Sequence, residues 1–482
     1  METKHTAIGN VYALSSRVIL LVCGFFIHIF LARSLGPELY GLYGLIMSIL
    51  IWVELSVLVG IPSAYKKAVS ENIEIIPSIF HSIKILFIPY CIGVFIAFSL
   101  ISPLLSQILH DERLRLLLLI SGIDIPFYGM FAVANSILNG YRAFFQESLS
   151  NSLYPIFKIF FVLVLVELGF ELPGALVGNI LASIAGLLFA FSLVKNLPST
   201  NDCKTITNLY PYIVQFGGPY LLYMLTRMLL INIDIWFVKG ILPDDKMIGY
   251  YTVACNLSRP LLFLITGIMA VTFPAFSKAV SEGNRDLSQK YIIQAMRFTL
   301  VFLLPFVTLI GTTSDELITL LYTSAYLPAS MALKILLVGI SLFSIFSVFL
   351  NFIAAANKPL SSFLMTLILL PLVIGLNYFC ILRYGIEGAA TATTLISGGG
   401  VMIAGVYVWN KFKALVNLKT LSRVLLANGC LYCFCKYFAT SGYALIMEYI
   451  LCVFLYIGIL LILREFNHGD LKIIKETVAH VI

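Results

Sequence analysis

Residues Ile29–Leu45, IFLARSLGPELYGLYGL, decide how this chain folds. They contain the end of one apolar run, a basic residue, a Gly-Pro turn and the Gly/Tyr-rich start of the next apolar run. About 208 residues later, Ile235–Val253 repeats the pattern as IWFVKGILPDDKMIGYYTV, so that Arg33 corresponds to Lys239. The repeat indicates two apolar hairpins of common design at equivalent places in the chain.

A second repeat supports the first. Gly169–Ala175, GFELPGA, matches Gly385–Ala390, GIEGAA, about 216 residues later. Because both pairs occur in the same order and at nearly the same offset, the sequence predicts a duplicated half. Such duplication is the usual construction of membrane transporters.

The composition is that of a membrane protein. Of the 482 residues, 60% are hydrophobic and 11% are charged, and the mean hydropathy is +0.98. A soluble domain carries charge on roughly a quarter of its residues. Apolar runs of about 20 residues recur along the chain, each long enough to cross a hydrocarbon core of about 30 Å. These features predict an all-α polytopic membrane protein.

The apolar runs predict about fourteen transmembrane helices, in two pseudo-symmetric lobes of six and a final pair. Residues 1–197 form the predicted N-terminal lobe and 198–412 the C-terminal lobe; 413–464 hold the last two helices and 465–482 a tail. Pro126 and Pro260 are expected to bend their helices. Lys and Arg are more numerous on one side of this arrangement, and the positive-inside rule places that side, with both termini, in the cytoplasm.

Neither the net charge nor the cysteines indicate a soluble ligand. The charge of +7 lies mainly in loops, with no basic run, so it favours membrane lipids as partners and no nucleic acid. The nine cysteines are scattered through apolar runs, and Cys430, Cys433 and Cys435 cluster without histidines or a second CxxC. They are interpreted as small residues of a membrane helix, and no metal or cofactor is expected.

Charged residues inside the predicted helices are the candidate functional groups. A charge at mid-membrane costs about 2.5 kcal/mol or more on insertion scales, so it persists only beside a partner or a wet cavity. The basic candidates for binding a substrate are Arg17, Lys158, Arg227, Arg259 and Arg297. The acidic candidates, for ion pairing or for coupling to a gradient, are Glu54, Asp124 and Asp234.

The basic candidates outnumber the acids, which favours an anionic cargo. Arginine offers a planar fork that matches phosphate oxygens bidentately. Arg17 and Arg227 fall in the first helix of each predicted lobe, so we hypothesise that they face one another across a central cavity. Arg297, like Lys84 and Lys334, lies near a helix end, where an internal ion pair or a snorkelling side chain also explains the charge.

No catalytic motif is present. The sequence has no Walker P-loop, no HExxH and no G-x-S-x-G, and it has no long loop that could hold a catalytic domain. A transporter is therefore favoured over an enzyme. Its energy, where needed, would come from an H+ or Na+ gradient, the membrane potential or a separate ATPase.

Four segments, in order, resemble one transporter family. LARSLGPELYGLYGL, IGYYTVACNLSRPLLFLITGIMAVTFPAFSK, LLYTSAYLPAS and YGIEGAATATTLIS are similar to the polysaccharide-export branch of the MOP superfamily. That branch includes the Wzx-type O-antigen flippases, beside the MATE drug exporters and the MurJ-type lipid II flippases. The likeness covers nearly the whole chain, and it implies two six-helix lobes around a central cavity, often with two extra C-terminal helices.

The resemblance also implies a function. Such proteins move an undecaprenyl-diphosphate-linked oligosaccharide from the cytoplasmic to the periplasmic leaflet of the bacterial inner membrane, within lipopolysaccharide or related polysaccharide biosynthesis. Cavity arginines would bind the diphosphate, and the two lobes would rock to give alternating access. A polysaccharide polymerase and chain-length proteins are the implied partners.

Three alternatives remain. A lipid II flippase would carry the same anionic diphosphate, although its characteristic motifs are not seen here. A MATE-like drug exporter commonly uses an acid in its first helix and a cationic cargo, whereas this first helix carries Arg17. The third alternative is a non-transporting scaffold for glycan assembly. The charges inside the membrane argue against it, because a scaffold would not need them.

Overall fold

A computed structural model of the chain describes residues 2–197, 213, 218–356, 358–414, 416–438 and 440–465. Every regular element in these ranges is helical, as the sequence predicts. Several predicted features lie outside the described residues: the polar connection at 198–208, the start of the seventh helix near Tyr210, and the tail from residue 466.

The described residues divide into two compact units. Unit 1 ends at Asn232, and unit 2 begins at Ile233. The boundary expected after residue 197 lies beside the segment that is not described, so the division into lobes at that point stays a prediction.

Unit 1 is built from eight helices and the first half of a ninth. They are α1 Glu2–Leu58, α2 Gly60–Glu71, α3 Ile76–Ser82, α4 Ile88–Ile108, α5 Arg113–Gly122, α6 Asp124–Gly140, α7 Phe144–Leu165, α8 Glu171–Lys195 and α9 Gly218–Ile241. Helix α7 packs against α1 and α8, and α6 packs against α8. Their core is apolar and includes Leu31, Val57 and Ile125.

Unit 2 contains the rest of α9 and eight further helices. They are α10 Lys246–Ser258, α11 Leu261–Ser281, α12 Arg285–Thr312, α13 Ser314–Leu321, α14 Ala329–Ala355, α15 Pro359–Phe412, α16 Leu418–Tyr437 and α17 Ala444–Ile462. Helix α14 has the most buried apolar span, and it packs along α15, α10 and α11. Asn284 begins α12 by accepting a hydrogen bond from the backbone N of Leu287 at 3.0 Å, which is a typical N-cap.

Glycines with positive φ make three of the four turns that the two sequence repeats predict. Helix α1 is two helices joined at Gly36, where φ is 73°, in the Gly-Pro step of the opening stretch. Gly169 and Gly385, the matched glycines of the second repeat, have φ of 88° and 58°. L-residues rarely adopt this region, so glycine is the residue that lets an apolar helix turn there without a loop.

Two of the proline-associated bends are also present. Helix α5 ends at Gly122 and α6 begins at Asp124, just before Pro126. Helix α10 ends at Ser258 and α11 begins at Leu261, so Arg259-Pro260 forms the break between them. Each break sets a charged side chain, Asp124 or Arg259, at a helix end inside an apolar run.

Ten segments of the described chain are long and apolar enough to cross a membrane. Three of them, Val11–Glu71, Phe144–Lys195 and Leu360–Phe412, contain Gly36, Gly169 and Gly385, respectively, so each turns within its length and holds more than one helix. The chain is therefore a multi-pass helical membrane protein. The total of fourteen stays a prediction.

Candidate functional site

The acids of unit 1 lie buried and incompletely partnered. Glu54 of α1 is 6% exposed, and Asp124, the first residue of α6, is 4% exposed. Within the described residues, Glu54 Oε1 and Asp124 Oδ1 accept no hydrogen bond. The two carboxyl groups interact electrostatically with each other and with Lys158 of α7. A pair of carboxyls beside one ammonium group can take up a proton or a small cation.

The helix ends and an aromatic stack position this group. Asp124 stands at the start of α6, where the helix dipole favours a negative charge. The ring of Tyr154, one turn before Lys158 on α7, stacks on Tyr128 and Phe131 of α6 at centroid distances of 5.2 and 5.1 Å. This packing holds α6 against α7, so that Asp124 and Lys158 stay neighbours.

The basic candidates of unit 1 form no ion pair. Among the described residues, Arg17, Lys158 and Arg227 have no carboxylate oxygen within 4.0 Å. The Nε of Arg227 is buried and has no hydrogen-bond partner there. Arg17 is exposed on α1, and it interacts with Glu147, whose carboxylate accepts a 2.6 Å hydrogen bond from Asn139.

A hydrogen bond joins the helix turns that carry Glu54 and Arg227. Trp52 of α1 donates its indole N–H to the carbonyl oxygen of Leu225 on α9, at 3.2 Å. Both residues lie two positions before the charged ones. Unit 1 therefore brings together a buried acid pair on α1 and α6, the base of α7 and the α9 turn with Arg227.

Asp234, the acidic candidate of unit 2, is fully partnered. Asp234, 2% exposed, accepts hydrogen bonds from Tyr251 at 2.6 Å, Thr393 at 3.3 Å and the backbone N of Ile235 at 2.8 Å. Arg259 Nη2 lies 3.8 Å from its Oδ1. The hydroxyls and the guanidinium satisfy the buried carboxylate, as buried charges require.

The other basic candidates of unit 2 also lie in ion pairs. Arg297 Nε contacts Glu465 Oε1 at 2.8 Å, and Glu465, 2% exposed, contacts Arg423 at 3.2 Å through its other oxygen. Lys334 lies 3.8 Å from Asp315. Arg297 thus forms an ion pair with Glu465, which follows the last helix. This agrees with the internal ion pair that the position of Arg297 near a helix end suggests.

The sequence repeat places related side chains at equivalent points in the two units. Asp234 precedes the second copy of the opening motif, as His28 precedes the first, and Tyr251 corresponds to Tyr43. In unit 1, His28 contacts Tyr43 edge to face at 6.0 Å, and Asn179 donates to the hydroxyl of Tyr43 at 3.5 Å. The positions are shared, but a neutral or weakly basic ring stands where unit 2 has an acid.

Tyr251, Thr393 and Glu465 are the residues that sequence reasoning missed. Tyr251 lies in the repeated stretch itself and Thr393 in the quoted segment YGIEGAATATTLIS, so the repeat could have drawn attention to both. Glu465 carries no such signal, because it stands 168 residues after Arg297.

Comparison with known proteins gives a family match over most of the chain. Residues 30–331 match the family described as "Polysaccharide biosynthesis protein". A protein of Haloferax volcanii named as a probable low-salt glycan biosynthesis flippase is 24% identical over 379 residues, which are 76% of this chain and 75% of that protein. A protein of Shigella flexneri, named provisionally as an O-antigen transporter, is 22% identical over 76% of this chain and 88% of its own length.

Among solved structures, the lipid II flippase MurJ in an inward closed conformation has a similar fold. The TM-score is 0.74, and the match covers 95% of this chain and 99% of that one, at 19% sequence identity. At this identity the likeness concerns the fold and not the cargo.

Proposed function

The chain belongs to the polysaccharide biosynthesis protein family, and we propose that it is a flippase for lipid-linked oligosaccharide. In the finer form of the proposal, it moves an undecaprenyl-diphosphate-linked repeat unit, of O-antigen or a related surface polysaccharide, from the cytoplasmic to the periplasmic leaflet. It does so by alternating access. It is a transporter and not a catalytic enzyme, consistent with the flippase names of its relatives.

One observation supports an anionic substrate. Lys158 and Arg227 lie within membrane-spanning helices, and neither has a carboxylate within 4.0 Å among the described residues. Holding such a charge in the membrane costs about 2.5–3.5 kcal/mol on insertion scales, so an unpaired base is retained where it meets an anion or water. A diphosphate supplies several charged acceptor oxygens, which Arg227 could bind through its guanidinium fork.

We also propose that the acid pair of unit 1 couples transport to an ion gradient. Glu54 and Asp124 are buried, each has an oxygen without a hydrogen-bond partner among the described residues, and Lys158 is their neighbour. Uptake of one H+ or Na+ would neutralise the excess negative charge of this group. Its release would leave Lys158 more strongly attracted to the acids and less available to the diphosphate.

The setting follows from the same proposal. The protein would lie in the bacterial inner membrane with both termini in the cytoplasm, arranged as six, six and two transmembrane helices. A polysaccharide polymerase and chain-length proteins would act on the product in the periplasmic leaflet. These partners rest on the resemblance in sequence.

The test uses a host strain that lacks this protein. We expect lipid-linked oligosaccharide to accumulate on the cytoplasmic side and surface polysaccharide to be lost, with export restored by the wild-type gene but not by the double variant K158Q/R227Q. The K278Q variant is the matched control, because the Lys278 side chain is 77% exposed.

Two outcomes would contradict the proposal. Normal surface polysaccharide with raised sensitivity to cationic drugs would favour a MATE-like exporter. Accumulation of the peptidoglycan precursor with intact surface polysaccharide would favour a lipid II flippase.

A further inference from the structure

A cluster of potential metal ligands lies on the last two helices of unit 2, which carry none of the groups assigned to transport. Cys435 stands near the end of α16, and Glu448 and Cys452 stand on α17. All three residues are buried, and one sulfur or carboxylate oxygen from each lies within 4.8 Å of the others. The sequence shows no such site, because the two thiols are 17 residues apart and outside any CxxC spacing.

The geometry of the two sulfurs suits a tetrahedral ion. Cys435 Sγ and Cys452 Sγ are 3.5 Å apart. Two thiolates at zinc–sulfur distances of about 2.3 Å and a tetrahedral angle stand roughly 3.8 Å apart. The sulfurs therefore need to move only a few tenths of an ångström to bind one ion. Glu448 and Cys452 are four residues apart, so they share one face of α17.

The carboxylate of Glu448 supplies an independent indication of a ligand. The residue is 3% exposed, and its Oε2 accepts hydrogen bonds from the backbone N and hydroxyl of Thr440, at 3.2 and 2.5 Å. Its Oε1 is buried without any hydrogen-bond partner among the described residues, and no basic side chain there lies within 4.0 Å. A buried acceptor left unpaired is unfavourable, and a cation would satisfy it.

The surroundings are apolar and packed. Cys435 and Cys452 belong to a hydrophobic cluster with Leu431, Tyr456 and Val301. In such a medium a doubly charged ion would bind only if anionic ligands compensate it. Two thiolates and one carboxylate supply three negative charges, which is the ligand softness and charge that zinc-type ions select.

We propose that Cys435, Glu448 and Cys452 bind a thiophilic divalent cation of the Zn2+ class, with a fourth position for water or a neighbouring hydroxyl. The ion would join α16 to α17 and so act as a structural staple of the C-terminal helix pair. This site is independent of the proposed flippase function, and its test does not use transport.

The test is a Cd2+ titration of the purified full-length protein in detergent, followed by the ultraviolet charge-transfer absorption of cadmium thiolate. We expect one Cd2+ per chain, with Zn2+ in excess competing for the same site. The charge-transfer band should be lost in C435S and in C452S. In E448Q the affinity should fall by more than about ten-fold, which is the smallest loss usual even for outer-shell partners.

The matched controls are C430S and C433S, whose thiols lie exposed on the same helix α16. These variants should keep the full absorption and the wild-type affinity. Thermal unfolding of each variant without metal separates loss of binding from loss of fold. If C435S does not fold, the Cd2+ titrations of C452S and E448Q test the proposed site.

Three results would overturn the proposal: the absence of stoichiometric Cd2+ in the wild type, an absorption band that follows Cys430 or Cys433, or a Cys435–Cys452 disulfide in protein purified without reductant. Zn2+ that raises the unfolding temperature of the wild type but not of C452S would support the role as a staple.

Discussion

The basic candidates of the two units differ in one respect: whether a carboxylate oxygen lies within ion-pair distance of them. In unit 1, Arg17, Lys158 and Arg227 have no carboxylate within 4.0 Å among the described residues. In unit 2, Arg259 and Arg297 each contact a buried acid. The same residue type at membrane depth thus has two uses. A paired base stabilises the fold, whereas an unpaired one remains available to an anionic ligand.

The repeated motif shows the same divergence on a common scaffold. Tyr43 and Tyr251 occupy equivalent places, and each contacts the residue before its copy of the opening motif: His28 in unit 1 and Asp234 in unit 2. Asp234 gives unit 2 an acid that holds Arg259. His28 gives unit 1 no such anchor.

The largest expected effect comes from breaking the paired region. In R297Q, the buried Glu465, 2% exposed, loses its closest ion pair but keeps Arg423. The free energy of unfolding should therefore fall by about 1.5–3 kcal/mol. Thermal unfolding in detergent measures this loss. The double variant R297Q/E465Q should recover most of it, because no unpaired buried charge remains. Equal instability of the single and double variants would contradict a stabilising ion pair.

Removing an unpaired base should affect transport and leave the fold intact. Each of K158Q and R227Q should lower the flipping rate by roughly 10- to 150-fold, which corresponds to a charge-assisted hydrogen bond of about 1.5–3 kcal/mol. The unfolding temperature of R227Q should match the wild type within error, since no internal ion pair is lost. K158Q also loses the attraction between Lys158 and the two buried carboxyls, so its unfolding temperature should fall modestly. A fall in stability with unchanged flipping per folded molecule would assign these bases to the fold.

The two equivalent tyrosines sharpen the comparison. Y251F removes a 2.6 Å hydrogen bond to a buried carboxylate and should destabilise the protein by about 1.5 kcal/mol or more. Y43F removes a 3.5 Å contact with the neutral side chain of Asn179 and should cost less, about 0.5–1.5 kcal/mol. The measurement is the difference in unfolding free energy between the two variants. Equal losses of unfolding free energy in Y43F and Y251F would mean that Asp234 does not make the Tyr251 site differ from the Tyr43 site.

The smallest effect on stability is expected at the acid pair. E54Q and D124N remove charges that lack full hydrogen bonding, so the unfolding temperature should stay the same or rise. The dependence of flipping on an imposed H+ or Na+ gradient should disappear in at least one of them, as measured in proteoliposomes. Retention of the full gradient dependence in both variants would exclude the pair as the coupling site.

More of the fold than of the candidate site could be predicted from the sequence. Apolar runs predicted the helices, the Gly-Pro step predicted the turn at Gly36, and the GIEGAA stretch predicted the turn at Gly385, because hydropathy and glycine geometry are local properties. The resemblance to Wzx-type flippases is confirmed by the family match. The partner of Arg297 could not be predicted, because Glu465 lies 168 residues away and only tertiary packing brings it close.

The sequence thus identified the candidate residues as charges within apolar runs, but it did not separate those with an ion-pair partner from those without one. Lys158 and Arg297 look alike in sequence, as single bases within apolar runs. Whether each has a partner depends on helix packing, which fixes Glu465 beside Arg297 and leaves Lys158 next to an acid pair without an ion-pair contact. The role of each basic candidate in binding substrate stays a prediction.

The most direct test compares two double variants in proteoliposomes that contain a fluorescent undecaprenyl-diphosphate oligosaccharide. We expect that K158Q/R227Q stays folded and loses flipping, whereas R297Q/E465Q flips at close to the wild-type rate per folded molecule. Flipping by K158Q/R227Q at the wild-type rate would contradict the claim that the unpaired bases of unit 1 bind the diphosphate.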